Sequence, residues 1–247
     1  MVDINKVLCE EFNIKPFQVE NTVKLIDEGN TIPFIARYRK EQTGSLDDVV
    51  LRDLYDRLMY LRNLETRKEE VIRLIEEQGK LTEELREEIL NADVLQRVED
   101  LYRPFKQKKS TRASKAKEKG LEPLAQIIFS QNLTEGDLDE IAAPFVNEEL
   151  GVKNVKEAYA GACDIIAEAV SDNAEYRKHI REIYMADGII NTEVVDEEEK
   201  TVYEMYYKFE EPVKVMANHR ILAINRGEVE KKLKFKLNTP DEKIVNY

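Results

Sequence analysis

Glycine placement is the feature that most limits the folds open to this chain of 247 residues. Of its 9 glycines, all but Gly161 fall where an apolar pattern with helical spacing stops, as helix-terminating glycines do. These are Gly29, Gly44, Gly79, Gly120, Gly136, Gly151, Gly188 and Gly227. Gly161 lies inside a helical pattern, among alanines that would let a second helix approach closely. This placement predicts a multi-helical, mainly all-α fold.

The stretch from Leu46 to Gln78 contains no Gly or Pro and supports one helix, capped by Ser45 or Asp47. At about 1.5 Å per residue this helix would be roughly 45 to 50 Å long. Its apolar stripe lapses at Glu65–Glu70 and resumes at Val71. A helix that is polar in its middle and apolar at both ends usually bridges two packed bodies. We therefore expect two lobes joined by this long helix.

We predict four regions along the chain. Residues 1–45 form an N-terminal helical lobe, and residues 46–78 form the bridging helix. Residues 79–188 form a central helical lobe that includes a basic loop at 102–120. Residues 189–247 form a helical return and the start of a following domain that is cut short.

The last part of the chain departs from helical spacing. Lys232–Leu237 alternates lysines with apolar residues, which is the period-two pattern of a β-strand. Lysines on an edge strand commonly serve only to prevent aggregation. Ile189–Val195 is rich in branched residues and is a second candidate for extended structure, whereas the acids Asp196–Glu199 are expected to open a further helix. The sequence thus predicts a short β segment near the C-terminus.

Positive charge is concentrated in Tyr102–Gly120, which we call the basic segment. It holds eight Lys or Arg against one acid, Glu118, for a formal charge of +7, whereas the whole chain carries −12. Such a segment attracts a polyanion that the rest of the chain would repel. Pro104 ends the preceding helix, and Ser110 or Thr111 can cap a short basic helix. The pattern indicates exposed cations that hold phosphates without reading bases, or, alternatively, a merely solvated loop.

A second, smaller basic cluster, Arg37, Arg39 and Lys40, ends a short helix that Thr31 can cap. A solvated helix end is the alternative interpretation, because cations favour helix C-termini. Our candidate nucleic-acid-binding residues are Arg103, Lys106, Lys108, Lys109, Arg112, Lys115, Arg37 and Arg39.

Catalytic and metal-binding patterns are missing from the sequence. His179 and His219 lie on different predicted helices, and neither belongs to a metal-ligand spacing. There is no phosphate-binding loop, nucleophile elbow or kinase signature. We therefore predict no metal, no cofactor and no enzyme activity. The two cysteines are expected to be reduced thiols, and no stretch approaches the ~20 apolar residues that span a bilayer, so we expect a cytoplasmic protein without membrane association.

Several blocks of sequence, spread over nearly the whole chain, carry a family resemblance. They are Phe34–Gly44 followed by Leu46–Asp48, Glu76–Thr82, Glu99–Lys106, Lys109–Arg112, Gly120–Leu124 and His219–Glu228. In this order they resemble the amino-terminal region of the Tex family of bacterial transcription accessory proteins. The resemblance implies the helical amino-terminal part of a larger nucleic-acid-binding protein, similar in architecture to a eukaryotic transcription elongation factor.

Members of that family continue into an RNase H-like domain, helix-hairpin-helix elements and an OB-fold RNA-binding domain, so the resemblance implies a chain truncated before them. Because the OB-fold is the family's principal binder, we expect weak, auxiliary, sequence-independent binding of RNA or DNA through the basic segment. The alternative is a protein-interaction scaffold, which positions the missing domains or docks a transcription or translation partner. In that case the basic segment would bind an acidic protein surface.

Overall fold

The computed structural model describes residues 3–132 and 137–247. They form thirteen α-helices and one three-stranded antiparallel sheet near the C-terminus, so the mainly all-α fold class is confirmed. The chain divides between Gln107 and Lys108 into two compact units. The four regions expected from the sequence, and the bridging role of the long helix, stay predictions.

The first unit consists of six helices. They are α1 Ile4–Phe12, α2 Pro16–Asp27, α3 Ile32–Tyr38, α4 Asp48–Glu76, α5 Glu83–Leu90 and α6 Leu95–Tyr102. Leu8 of α1 and Val19 of α2 are fully buried, in one cluster with Leu54 and Leu58 of α4. Ile35 of α3 is fully buried in a neighbouring cluster that α4 also lines. The N-terminal half of α4 is therefore the surface on which α1, α2 and α3 pack.

The predicted long helix is confirmed as α4. It contains 29 residues, and Asp47 caps it by accepting a hydrogen bond from the Val50 amide at 2.9 Å. Its buried stripe is continuous through the segment where the apolar pattern lapses, because Lys68 occupies a buried position there. The stripe consists of Leu51, Leu54, Leu58, Leu61, Leu64, Lys68, Val71, Ile72 and Ile75.

The second unit combines helices with the sheet. Its elements are α7 Arg112–Glu118, α8 Glu122–Ser130, α9 Leu138–Ala142, α10 Val155–Asp172, α11 Ala174–Asp187, β1 Ile189–Val194, β2 Lys208–Pro212, α12 Asn218–Val229, β3 Leu233–Asn238 and α13 Asp241–Val245. Helices α7 and α8 pack on α10 around a buried core. A Cβ atom at Gly161 of α10 would lie 2.3 Å from Leu121 Cδ1 and 3.3 Å from the Ala116 methyl. The close helix approach predicted at Gly161 is thus confirmed.

The sheet has the order β2-β1-β3, and β1 pairs antiparallel with both neighbours. Thr192 at the centre of β1 stands opposite Phe209 of β2 and Phe235 of β3. The strand predicted at Lys232–Leu237 is confirmed as β3, and its alternating lysines lie on an edge strand of this sheet.

Two local predictions were wrong. Asp196–Glu199 does not open a helix and instead forms bends in the connection after β1, because four consecutive acids give a helix no apolar face to bury. Gly227 lies inside α12 and does not end it. A Cβ atom there would lie 2.6 Å from Leu233 Cδ1, so this glycine allows close packing and does not terminate the helix. Gly136 lies outside the described residues.

Candidate functional site

The basic segment crosses the boundary between the two units, so its halves are described separately. In the first unit, a 3-10 turn at Arg103–Phe105 follows α6, and Arg103 is half-buried. Lys106 Nζ donates to Glu99 Oε2 at 2.7 Å, and Arg67 Nε donates to Glu99 Oε1 at 2.6 Å. Both cations also lie within 6 Å of the Tyr102 ring centroid, at 5.4 Å for Arg67 and 5.6 Å for Lys106.

The electrostatics around Glu99 follow from these contacts. Burial raises the pKa of the Glu99 carboxyl, but the hydrogen bonds from Arg67 and Lys106 outweigh burial and hold the pKa below its ordinary value. The positive charge of Lys106 is therefore already balanced within the first unit.

In the second unit the segment forms a short loop and α7. Thr111 caps α7, as one of the two candidates predicted: the Ser114 amide donates to Thr111 Oγ1 at 3.0 Å, and the Thr111 amide donates to Ser114 Oγ at 2.8 Å. Ala113 and Ala116 are buried and attach the helix to the core. Since Ala113 and Ala116 are one turn apart, the opposite face of α7 is left to its charged residues.

Several cations of this second half have partners in their own unit. Lys108 Nζ bonds to Asp172 of α10 and lies 3.3 Å from Glu168 Oε1. Arg112 Nε lies 3.5 Å from Asp164 Oδ1, although 87% of the Arg112 side chain is exposed. Further along, Lys117 Nζ lies 3.4 Å from Glu122 Oε1, and Lys119 Nζ donates to the Gly151 carbonyl at 3.0 Å.

Lys109 and Lys115 differ from these residues. Both are exposed, and neither makes an ion pair in the described part of the chain. Arg112 lies between the paired cations and these two lysines, because it has an ion pair but the pair is long and its side chain is exposed to solvent. Lys109, Arg112 and Lys115 are therefore the cations of the basic segment best placed to reach an external anion.

The second basic cluster lies in the first unit, at the C-terminal end of α3. Within residues 3–132 and 137–247, no carboxylate pairs with Arg37 or Arg39. The guanidinium carbon of Arg37 lies 5.9 Å from the centroid of the Tyr38 ring, and that of Arg39 lies 5.3 Å from the centroid of the Phe34 ring.

Sequence reasoning missed the two aromatic residues of this cluster. The Phe34 and Tyr38 ring centroids lie 5.2 Å apart, with their planes inclined at 46°. The signal was present in the sequence, because residues four apart share one face of a helix. Aromatic rings beside unpaired cations are able to stack on a planar group while the cations face its charge.

The described residues contain no cluster of three or more His, Cys, Asp or Glu side chains that could hold a metal ion. None of their helices combines the length and the apolar character that crossing a membrane requires.

Comparison with known proteins places this chain in a family. Residues 2–76 match the Tex-like protein N-terminal domain, and residues 134–246 match the Tex central region-like domain. The basic segment falls between the two matched regions. Because the two matches follow one another along the chain and together cover most of it, the chain belongs to the Tex family of transcription accessory proteins.

The chain is also similar to individual proteins. The chain is 46% identical to the uncharacterized protein YdcI of Bacillus subtilis, over 99% of this chain and 34% of that protein. It is 40% identical to the transcriptional accessory protein Tex of Neisseria gonorrhoeae, over 98% of this chain and 32% of that protein. It is 30% identical to S1 RNA-binding domain-containing protein 1 of Pongo abelii, over 97% of this chain and 24% of that protein. The chain spans about a third of the length of the two bacterial relatives.

Proposed function

We propose that this chain supplies an auxiliary, sequence-independent contact with the phosphates of RNA or DNA. The observation that carries the proposal is the pair Lys109 and Lys115. Both are exposed, and neither has a carboxylate partner in the described residues, within a segment of charge +7 in a chain of charge −12. Contacts between lysines and phosphates add affinity without reading sequence. The names of two relatives, a transcriptional accessory protein and an S1 RNA-binding domain-containing protein, agree with a nucleic-acid partner.

The binding should be weak, because part of the basic segment is already neutralised. Lys106 and Lys108 would have to exchange a carboxylate for a phosphate, which adds little net energy. Arg112 can turn toward a phosphate more easily, since its side chain is exposed and its ion pair is long. Within the first unit, Arg37 and Arg39 are further cations that can contact a phosphate. The function is binding without turnover.

Charge reversal tests the proposal. The variant Lys109→Glu/Lys115→Glu should bind a labelled single-stranded RNA and a DNA duplex more weakly than the wild type in fluorescence anisotropy. The slope of log affinity against log salt should become shallower by up to about 2, because two phosphate contacts are lost. The matched control is Lys200→Glu/Lys208→Glu, which changes net charge equally at two other exposed positions of the second unit. Equal affinity and slope for wild type and both variants would refute the proposal.

A protein-interaction scaffold is the second candidate. The observation that favours it is the pairing of Lys106 with Glu99 and of Lys108 with Glu168 and Asp172, which uses positive charge inside each unit. Under this alternative the chain holds later domains of the protein or a partner of the transcription or translation machinery. It predicts that the wild-type chain has no measurable affinity for RNA or DNA even at low salt.

A further inference from the structure

The end of α3 carries two cations and two aromatic rings in successive contact. The Arg39 guanidinium carbon lies 5.3 Å from the centroid of the Phe34 ring, and the Phe34 and Tyr38 ring centroids lie 5.2 Å apart. The Arg37 guanidinium carbon lies 5.9 Å from the centroid of the Tyr38 ring. We call these four residues the α3 aromatic surface. All four belong to the first unit, and none of the cations of the basic segment is part of it.

The rings of this surface do not hold α3 in place. Ile35 of the same helix is fully buried and packs with Leu25, Leu46 and Leu51. Phe34 is 36% exposed, and Tyr38 is 60% exposed. Because Ile35 already anchors the helix, the exposure of two neighbouring aromatic rings has no explanation in the packing of the first unit.

The chain that follows α3 is held in a fixed conformation. Gln18 of α2 donates through Nε2 to the carbonyls of Thr43 and Gly44, both at 3.2 Å. Asn21 of α2 donates to the Gln42 carbonyl at 2.8 Å. The hydroxyl of Thr43, which is fully buried, donates back to the Arg39 and Lys40 carbonyls at 3.4 and 3.3 Å. The backbone that carries Arg39 is therefore positioned before any ligand arrives.

We infer that the α3 aromatic surface binds an unpaired base of a single-stranded nucleic acid. Tyr38 stacks on the base, and Arg37 and Arg39 face the adjacent phosphates. This inference rests on the proposed function and specifies its ligand, because only an unstacked base presents its face to an aromatic ring. Charge complementarity selects this occupant: a polyanion satisfies the two guanidinium groups, which have no carboxylate partner in the described residues.

The experiment compares three labelled probes: an oligouridylate, an abasic oligomer of the same length and a duplex of the same length. The variants are Tyr38→Ala and Tyr38→Phe. Tyr38→Ala should lower the affinity for the oligouridylate by roughly fivefold or more, the effect of losing one stacked base. It should leave the affinities for the abasic oligomer and the duplex unchanged, because neither offers a free base. Tyr38→Phe keeps the ring and should bind as the wild type does.

The outcomes separate this inference from the proposed function. If Lys109→Glu/Lys115→Glu weakens binding while Tyr38→Ala does not, the inference fails and the proposed function stands. An equal loss on all three probes for Tyr38→Ala would also overturn it, because stacking cannot act on the abasic oligomer. Loss confined to the oligouridylate supports it, provided that thermal unfolding of Tyr38→Ala matches the wild type. A wild-type chain that binds none of the probes refutes both proposals.

Discussion

The ammonium group of Lys68 lies 2.7 Å from Oε1 of Glu65, one turn earlier on α4, and the Lys68 side chain is only 2% exposed. The same Nζ atom donates to the carbonyl of Leu90 at 2.9 Å. Leu90 is the last residue of α5, where carbonyl groups lack partners within the helix. Lys68 therefore fills a position in the buried stripe of α4 while paired with Glu65. It also provides a hydrogen-bond donor for a carbonyl at the C-terminal end of α5.

Lys68→Met should destabilise the first unit by about 3 kcal/mol, because it removes both a buried ion pair with Glu65 and the hydrogen bond that Lys68 donates to the Leu90 carbonyl. Hydrogen exchange of α4 and α5 measures the loss within that unit. The double variant Glu65→Leu/Lys68→Met should recover only part of it, since both charges of the pair are then gone but the Leu90 carbonyl still lacks its donor. Arg52→Met is the control: it breaks an exposed ion pair with Asp48 on the same helix and should cost less than about 1 kcal/mol. A loss for Lys68→Met no larger than the control would contradict this account.

The sequence predicted α4 well because its signals are local. Asp47 is a standard N-cap, and an uninterrupted run of helix-forming residues follows it. The role of Lys68 could not be read in the same way, since its partner at Leu90 lies 22 residues away. Strand β2 was missed for a similar reason: Lys208–Pro212 is mostly charged and is extended because it pairs with β1.

Two bidentate ion pairs link α1 and α2 to α4, and they predict a pH dependence. The hydrogen bond from Arg57 lowers the pKa of Glu11, and the hydrogen bond from Arg62 lowers the pKa of Asp27. Ordinary carboxyl pKa values are about 4.3 for Glu and about 3.9 for Asp. Because the folded pKa values lie below these, the stabilisation is complete at neutral pH and is lost as pH falls through the folded values.

Glu11→Gln/Asp27→Asn should therefore lower the stability of the first unit at neutral pH by at most about 1 kcal/mol, because both pairs are partly exposed. The difference from the wild type should shrink below about pH 4, where the wild-type carboxyls become protonated. Urea unfolding at a series of pH values measures it. Glu10→Gln/Glu28→Gln removes equal charge from exposed residues that form no ion pair in the described residues, and should not lower stability at neutral pH. If the stability difference between wild type and Glu11→Gln/Asp27→Asn grew as the pH fell, the ion pairs would not have the expected pH dependence.

Gly161→Ala should destabilise the second unit by about 1 to 3 kcal/mol, because its methyl group would lie 2.3 Å from Leu121 Cδ1 in a filled core. Thermal unfolding measures the change. If the clash with Leu121 is the cause, Gly161→Ala should lower stability much less in a Leu121→Ala background than in the wild type. An equal loss of stability in both backgrounds would exclude the clash as the cause. The sequence predicted a close approach at Gly161. It did not predict that Leu121 makes this approach, because Leu121 is distant along the chain.

The candidate site was only partly predictable. The sequence located the basic segment by its composition, but composition does not reveal which cations have partners. Lys108 meets Asp172 of α10, which lies 64 residues further along the chain. Lys109, the next residue, has no ion pair in the described residues. This division between neighbouring lysines depends on how α10 packs, so it required the tertiary structure.

Because Lys108 is held by carboxylates, releasing it should increase the affinity of the chain for nucleic acid. Glu168→Gln/Asp172→Asn removes both carboxylates that hold Lys108, and should raise affinity for RNA and DNA about threefold to tenfold, because Lys108 is then available to a phosphate. The slope of log affinity against log salt should steepen by nearly 1. Glu197→Gln/Glu198→Gln neutralises two exposed acids of the same unit and should raise affinity less, with no change in slope. If the two variants gain affinity equally and with the same slope, only net charge has acted, and Lys108 contacts no phosphate.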